Sequence, residues 1–551
     1  MCAALAVCAA ATLLTLAWGA ASASAAVYFV GSTTDDAAPT CLPGVPTCTL
    51  RSAMTATAAS AEADTIAFAL PDDSTISPAT ALPPQPPSGG ALTIDGARGP
   101  GVCAAGDPRV NLDGSAAPED TNGLVLRGAG STLCGLAVHS WTGTAIELEG
   151  TGAAVVGSYI GTDTSGVASG LGNTNGIAVE APNATIGRPD QGNVVVSTFE
   201  TAISVNETSG GGTTIAANRI GTGVDGVVLS NYYGVKLAGD GTTVGGVEPG
   251  TANTITNTRV SGVRVLESGR QNPILGNVMY ANGGGSVALE PMILYSTTGR
   301  EDPLDADTGG NDLQNKPNFQ SSLTAANSLY TRVQPSLVGE PNETYRLEYF
   351  YNSADRCRFD ASDPNIGLRF FEGPPAERFL GAIEIATDEN GSMKLPSGVF
   401  PWDYFAKLPP APPGSWLSGT ATDSEGNTSG VGGCPEIGRL SEPDLEATVI
   451  PVNGRGKALV ELTCQDATFP CDADVAINVP GKGLEGERLA VTVPNDRRAH
   501  VRTVKLRKRT ARRVRKRGKL GGRISVTAPG AARVKGTKVK LVPKGQKKRG
   551  S

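Results

Sequence analysis

The stretch YIGTDTSG, Tyr159 to Gly166, is followed by NGIAVEAPNATIG, GNVVVS and TAISV, and the same order of segments returns from RIGTGVDG, Arg219 to Gly226, as YGVKLAGDGTTVG, ANTITN and SGVRV. Ile160 matches Ile220, Asn193 matches Asn253 and Ile203 matches Val263, each sixty residues on. An internal repeat must be read before any other feature, because it dictates the architecture. Within it, short apolar triplets such as Ile177-Ala178-Val179, Val194-Val195-Val196 and Ile203-Ser204-Val205 are punctuated by Gly, Asn or Asp. Runs this short cannot bury a core as isolated hairpins, but they can as strands that each lie on the one before, bonded in parallel along a stack. Helical repeats would show apolar spacing near 3.6, and a propeller blade would need longer strands, so the pattern predicts a coil with about three rungs of roughly 20 residues per period.

A stacked coil has two open ends and therefore needs caps. LRSAMTATAASAE, Leu50 to Glu62, reads as a short helix, followed at once by the strand-like DTIAFAL of Asp64 to Leu70. Rungs are expected from about Ala91 to Pro291, with GNVMYANGGGSVALE, Gly276 to Glu290, as the last. The matched Asn193 and Asn253 suit either stacked amides inside the turns or a left-handed turn conformation.

Composition agrees with an all-β chain. Of 551 residues, 71 are Gly and 38 Pro, while only 5% are aromatic, which favours many short strands and tight turns. The length exceeds what one core supports. The expected division is an export signal over 1–26, a right-handed parallel β-helix with its capping helix over 27–325, a β-sandwich over 326–432, and a C-terminal β-domain with a basic tail over 433–551. The signal reading rests on the uncharged Ala3 to Ala20 segment and the small residues Ala23-Ser24-Ala25-Ala26. No transmembrane segment is expected once it is removed.

Eight cysteines follow that leader: Cys41, Cys48, Cys103, Cys134, Cys357, Cys434, Cys464 and Cys471. An even number in an exported chain points to disulfides. Eight cysteines allow on the order of a hundred connectivities, of which pairing in sequence order is the expectation. A zinc site is the competing reading, but there is no CxxC and His139 and His500 are far apart.

The net charge of −6 conceals an asymmetry: Arg497 to Ser551 holds 22 Lys/Arg and no Asp/Glu, leaving 25 basic against 53 acidic residues before it. Arg507, Lys508, Arg509, Arg512, Arg513, Arg515, Lys516 and Arg517 form its densest part. Attraction to anionic envelope polymers is the preferred reading, with part of the run as a strand. Nucleic acid is not expected, since no aromatic platforms accompany the charge.

CTLRSAM at Cys48 to Met54, with EADTIAF at Glu62 to Phe68, resembles the N-terminal signature of the CSLREA-type bacterial exported proteins. Thr49, Ser52 and Met54 stand where that signature usually has Ser, Glu and Ile. The IGT periods, GNVMYANGG and DADTGGNDLQNKP (Asp305 to Pro317) resemble that family's coils and their exit, and YRLEYFYNSADRC and GTATDSEGNTSG its following β-domain. The resemblance spans roughly Val27 to Gly430 and implies a pectin-lyase-like parallel β-helix at the cell surface or beyond. It implies no single reaction.

Asp305, Asp307 and Asp312 form an acidic loop where calcium is a candidate ligand, although a solvated loop fits equally; no cofactor is required. Tyr232 and Tyr233 put two aromatics in a turn, where they could stack on sugars or pack between rungs. The turns Asp388-Glu389-Asn390-Gly391 and Asp423-Ser424-Glu425-Gly426-Asn427 receive no function. A polysaccharide lyase or glycoside hydrolase is the enzymatic alternative, but Asp163, Arg219, Asp225, Lys236 and Asp240 are residues any solenoid turn collects, and His139 reads as a surface or turn residue. No catalytic residue is assigned. The expected function is that of a secreted or cell-surface bacterial protein, adhesin-like or structural, that binds glycans or anionic envelope polymers.

Overall fold

The computed structural model describes residues 25–544 except 37–40, 98–102, 105, 292–301, 320–323, 327–329, 358–373, 398–404, 413, 440–443, 446–448, 465–470, 480–488, 495–496 and 528–536. The expected export signal up to residue 24 and the last residues of the tail, 545–551, lie outside the described residues. Three parallel sheets of nine, eight and seven strands run side by side from Val27 to Leu289, so that the chain visits each sheet once per turn. This is a parallel β-helix. Its interior is a ladder of aliphatic side chains such as Ile160, Val195, Ile220 and Ile255, all fully buried, each in register with the next.

Residues sixty apart do stack in one sheet, but as next-nearest neighbours. Ile160 pairs with Val195 and Val195 with Ile220, so one period holds two coils of unequal length and not three rungs. The triplets that suggested three are the three faces of a coil. The coil also begins earlier than Ala91: Val27–Val30 and Asp64–Phe68 are the first two strands of the nine-stranded sheet.

The helix, Leu50–Ala58, closes the front of the stack by burying Leu50, Ala53 and Met54. Thr49 Oγ1 accepts from Ser52 N (3.1 Å) and Thr49 N donates to Ser52 Oγ (2.9 Å). Thr49 and Ser52, two of the three positions at which the segment differs from the signature it resembles, thereby form a reciprocal cap between themselves. Arg51 on the outer face pairs with Asp35 at 2.9 Å.

The rear is closed by the next unit. Sheets Thr324–Ala326, Thr331–Val333, Ala406–Leu408, Gly438–Arg439 and Thr344–Asn352, Arg378–Ala386, Trp416–Thr422 share a core that includes Val333, Leu347, Tyr349, Leu417 and Ile437. Gln271 N donates to Asn427 Oδ1 (2.7 Å), Ile274 N to Thr428 Oγ1 (2.9 Å) and Gly276 N to Glu348 Oε2 (2.7 Å). These bonds satisfy edge groups of the last coil, which would otherwise be a template for aggregation. The Asp423 to Asn427 turn is thus part of a cap.

An eight-stranded, mostly antiparallel sheet from Asp444–Leu445 to Thr537–Pro543 forms the C-terminal unit. The basic run begins as a strand, as expected of part of it, within His500–Lys505, and then turns into a helix that the sequence reading did not expect, Lys508–Arg517, stopped by Gly518 at φ +70. Thr510, Ala511 and Val514 form its buried stripe.

Four disulfides join Cys41 to Cys48, Cys103 to Cys134, Cys357 to Cys434 and Cys464 to Cys471, in sequence order. They mark a protein of an oxidising, extracytoplasmic environment. Among the described residues no helix is long and apolar enough to cross a membrane.

Candidate functional site

Two asparagine ladders hold the corners of the coil, so outward side chains above them are placed accurately. Asn193, Asn218, Asn253 and Asn277 stack, each passing a side-chain Nδ2–H to the next Oδ1 at 2.9–3.0 Å. Asn173, Asn231 and Asn282 hold a second corner, donating to Val138, Val195 and Ile255 carbonyls. Of the two readings of Asn193 and Asn253, stacked amides hold; neither residue has positive φ.

The second corner carries an exposed column. Phe199 N donates to Asn173 O, Tyr232 N to Thr198 O and Arg259 N to Asn231 O, which sets Phe199, Tyr232 and Arg259 over one another on successive coils about 4.8 Å apart. Phe199 is 71% exposed and Tyr232 42%. Tyr233 belongs elsewhere: it accepts from Arg264 Nη1 (2.7 Å), lies under that guanidinium at 5.0 Å, and meets Tyr232 edge-on at 5.0 Å. Sequence reading named the two adjacent tyrosines and missed Phe199, whose one signal is a lone aromatic between the polar residues Thr198 and Glu200.

On the third sheet's outer face, Glu147 accepts from Asn122 Nδ2 at 2.9 Å. Burial, then the Glu149 charge, pushes its carboxyl above the usual range. Glu149 itself pairs with Arg127 (2.8 Å).

The acidic loop is rearranged relative to expectation. Carboxylates of Asp302, Asp305 and Asp307 converge within 4.8 Å of one another, whereas Asp312 instead pairs with Arg270 at 2.6 Å. Asp305 accepts from Asn315 N (2.8 Å) and Gln314 Nε2 (2.6 Å), yet burial pushes its pKa up to about 7. The grouping of Asp95 with Cys103 and Cys134 is accounted for by the disulfide.

The acids considered for lyase chemistry do not converge. Asp163 Oδ1 accepts from Ser165 N, Asp225 Oδ1 from Val227 N, and Asp240 Oδ1 from Arg270 N; each closes its own or a neighbouring turn. His139 is not a surface residue but 5% exposed, on the strand Leu136–His139, with Nδ1 3.0 Å from Ser140 Oγ and 3.6 Å from Asp113. Burial holds its pKa below the ordinary value, against the pull of Asp113 and Asp163.

In the basic helix, Arg507 at the N-cap, Lys508, Arg509, Arg512, Arg515, Lys516 and Arg517 are exposed and Arg513 is half-buried. A cleft of about 470 Å³ lies on the same unit, lined by Val449, Gly521, Gly522, Arg523, Lys538, Val539 and Lys540. No protein-family model matches the chain, and no curated protein matches it. The arrangement itself must therefore carry the functional reading.

Proposed function

We propose that this is a secreted or cell-surface bacterial protein of the CSLREA type, in which a stiff capped coil presents outward surfaces and the basic C-terminal unit associates with anionic envelope polymers. The observation that supports it is the helix Lys508–Arg517: its small apolar stripe is committed to the core, while all of its cations but the half-buried Arg513 are exposed to solvent. Many cations with few exposed apolar groups favour a charged polymer over insertion into lipid. Nucleic acid is the weaker partner, because the helix and its flanking strands offer no stacking rings. Glycan contact is assigned to the Phe199, Tyr232 and Arg259 column, where flat exposed faces stand in line, and calcium to the Asp302, Asp305 and Asp307 loop as an optional ligand.

The test is release from purified envelope material by salt, compared with Arg512→Glu/Arg515→Glu/Lys516→Glu. Release that steepens with ionic strength and weaker retention of the variant are expected; equal retention of both proteins in high salt would contradict the reading. A second reading, glycoside hydrolysis, draws support from Glu147, a carboxyl with raised pKa beside Glu149, in keeping with general acids. Reducing ends released from acidic glycans by the wild type and not by Glu147→Gln would favour it.

A further inference from the structure

We infer that the Phe199, Tyr232 and Arg259 column reads its glycan in one direction, taking a chain in which a carboxylate-bearing sugar adjoins an uncharged one, with the carboxylate on Arg259 and the uncharged ring on Phe199. This rests on the glycan-contact reading above and adds to it the class of sugar and the sense in which the chain lies.

The backbone fixes the order of the column. Phe199 N donates to Asn173 O on the coil before, Tyr232 N to Thr198 O, Arg259 N to Asn231 O and Gly283 N to Thr258 O. The step after Arg259 is thus a glycine, which makes Arg259 the last side chain of the row. From Phe199 to Arg259 is two coil steps, about 10 Å. Every residue from 142 to 284, the stretch that builds these coils, is described.

Both rings are set before a ligand arrives. Phe199 leans back over Gly172, where an added Cβ would lie 3.4 Å from its Cε2, and most of the ring stays exposed. Tyr232 meets Tyr233 edge-on, and Tyr233 is in turn held by the Arg264 guanidinium through its hydroxyl and its face. Ordering such side chains in advance removes part of the cost of binding. An aromatic face carries partial negative charge, which attracts the C–H face of a sugar and repels a carboxylate.

The two ends of the column differ in charge. At the far end Arg259 is exposed, and among the described residues its guanidinium pairs with no carboxylate. A planar fork of this kind suits bidentate recognition of a carboxylate. At the near end Glu200 stands exposed beside Phe199, drawn towards the preceding coil by Asn175 Nδ2 at 3.4 Å. A second carboxylate there would meet both that charge and the ring face. One cation and one acid at opposite ends of two rings therefore select an acidic sugar next to a neutral one, and disfavour a polymer charged at every ring.

The experiment measures dissociation constants of the full chain for the hexasaccharide of hyaluronate, in which uronate and N-acetylglucosamine alternate, for its carboxyl-reduced form, and for hexamannuronate. All proteins carry Arg512→Glu/Arg515→Glu/Lys516→Glu, so that the basic helix does not answer for the column, and thermal melts show that each folds. The hyaluronate hexasaccharide should bind roughly tenfold more tightly than its carboxyl-reduced form, the worth of one charge-assisted contact, and several-fold more tightly than hexamannuronate. Arg259→Gln should remove the first difference and leave the affinity for the reduced form unchanged, whereas Phe199→Ala should weaken all of them. Glu200→Gln should raise hexamannuronate binding about twofold, the size of a like-charge repulsion across roughly 10 Å of water. Equal binding of the hyaluronate and reduced hexasaccharides, both lost in Phe199→Ala, would overturn the acidic sugar and leave glycan contact intact. Hexamannuronate bound as tightly as hyaluronate would overturn the alternation. Binding unmoved by Phe199→Ala and Arg259→Gln would overturn the column as the seat, and an intact column that binds none of these glycans would overturn both readings.

Discussion

Replacing Asn218 by Ala should cut the coil's stability by about 4 kcal/mol, although the residue is far from any terminus or ligand surface. Asn218 is 1% exposed. Its Oδ1 accepts from Asn193 N (3.0 Å) and Asn193 Nδ2 (2.9 Å), and its Nδ2 donates to Ile186 O (2.7 Å) and Asn253 Oδ1 (3.0 Å). Ile186 O keeps a bond from Ala216 N, and Asn253 Oδ1 keeps one from Asn218 N. The two donors of Asn193 lose their acceptor inside a closed stack. At about 1–3 kcal/mol for each buried group left unsatisfied, the loss is roughly 2–6 kcal/mol. Asn218→Asp should be worse, since a carboxylate would face two oxygens with no proton to offer. Because separate units need not unfold together, hydrogen exchange of peptides across 185–225 should be read beside urea unfolding, with Asn390→Ala in an exposed turn as control. A loss under about 1 kcal/mol for Asn218→Ala, or exchange unaltered over that stretch, would refute the view that the ladder holds the corner.

Phe199→Ala and Tyr232→Ala should each weaken glycan-array signals while Tyr233→Phe leaves them unchanged, because Tyr233 serves Arg264; the reverse order would move the contact to Tyr233. Asp472→Ala should cost roughly 3–5 kcal/mol in denaturant unfolding, because this buried carboxylate accepts from Arg332, Tyr330 and Thr492 and ties the sandwich to the C-terminal sheet. Asp305 has a folded pKa of about 7 against an unfolded value of about 3.9. The folded state therefore binds the extra proton between those values, stability should fall as pH rises from 4 to 7, and Asp305→Asn should flatten that slope in thermal melts. Calcium should raise the melting temperature of the wild type and not of Asp305→Asn; no rise in either would leave the loop merely solvated.

Much of the coil was legible because its period is written in residues with a single structural use, such as the IGT triplets and the Gly and Asn punctuation. The number of rungs was not, since apolar triplets look alike on all three faces and only strand register shows that 160, 195 and 220 are successive turns. Sequential disulfides follow from cysteines that lie close in the chain. The basic helix was hidden because Thr510, Ala511 and Val514 make too thin a stripe among eight cations for a 3.6 period to stand out. The rear cap was hidden for another reason: Gln271 to Asn427 is a bond across 156 residues, made by one side chain and a backbone group, and no local pattern announces it. Asp312 and Tyr233 were misplaced because adjacency in sequence does not say which neighbour an arginine will claim.

Distances between spin labels along one outward column test the stacking most directly. Thr93, Thr132, Ala154, Thr185, Thr214 and Thr243 lie in register on consecutive coils. With about 4.8 Å per coil, the pairs Thr185/Thr243, Thr132/Thr243 and Thr93/Thr243 should give backbone separations near 10, 19 and 24 Å, rising in proportion to the number of coils. Separations that do not follow that order, or a Thr185/Thr243 distance as long as the Thr93/Thr243 one, would contradict a single parallel stack.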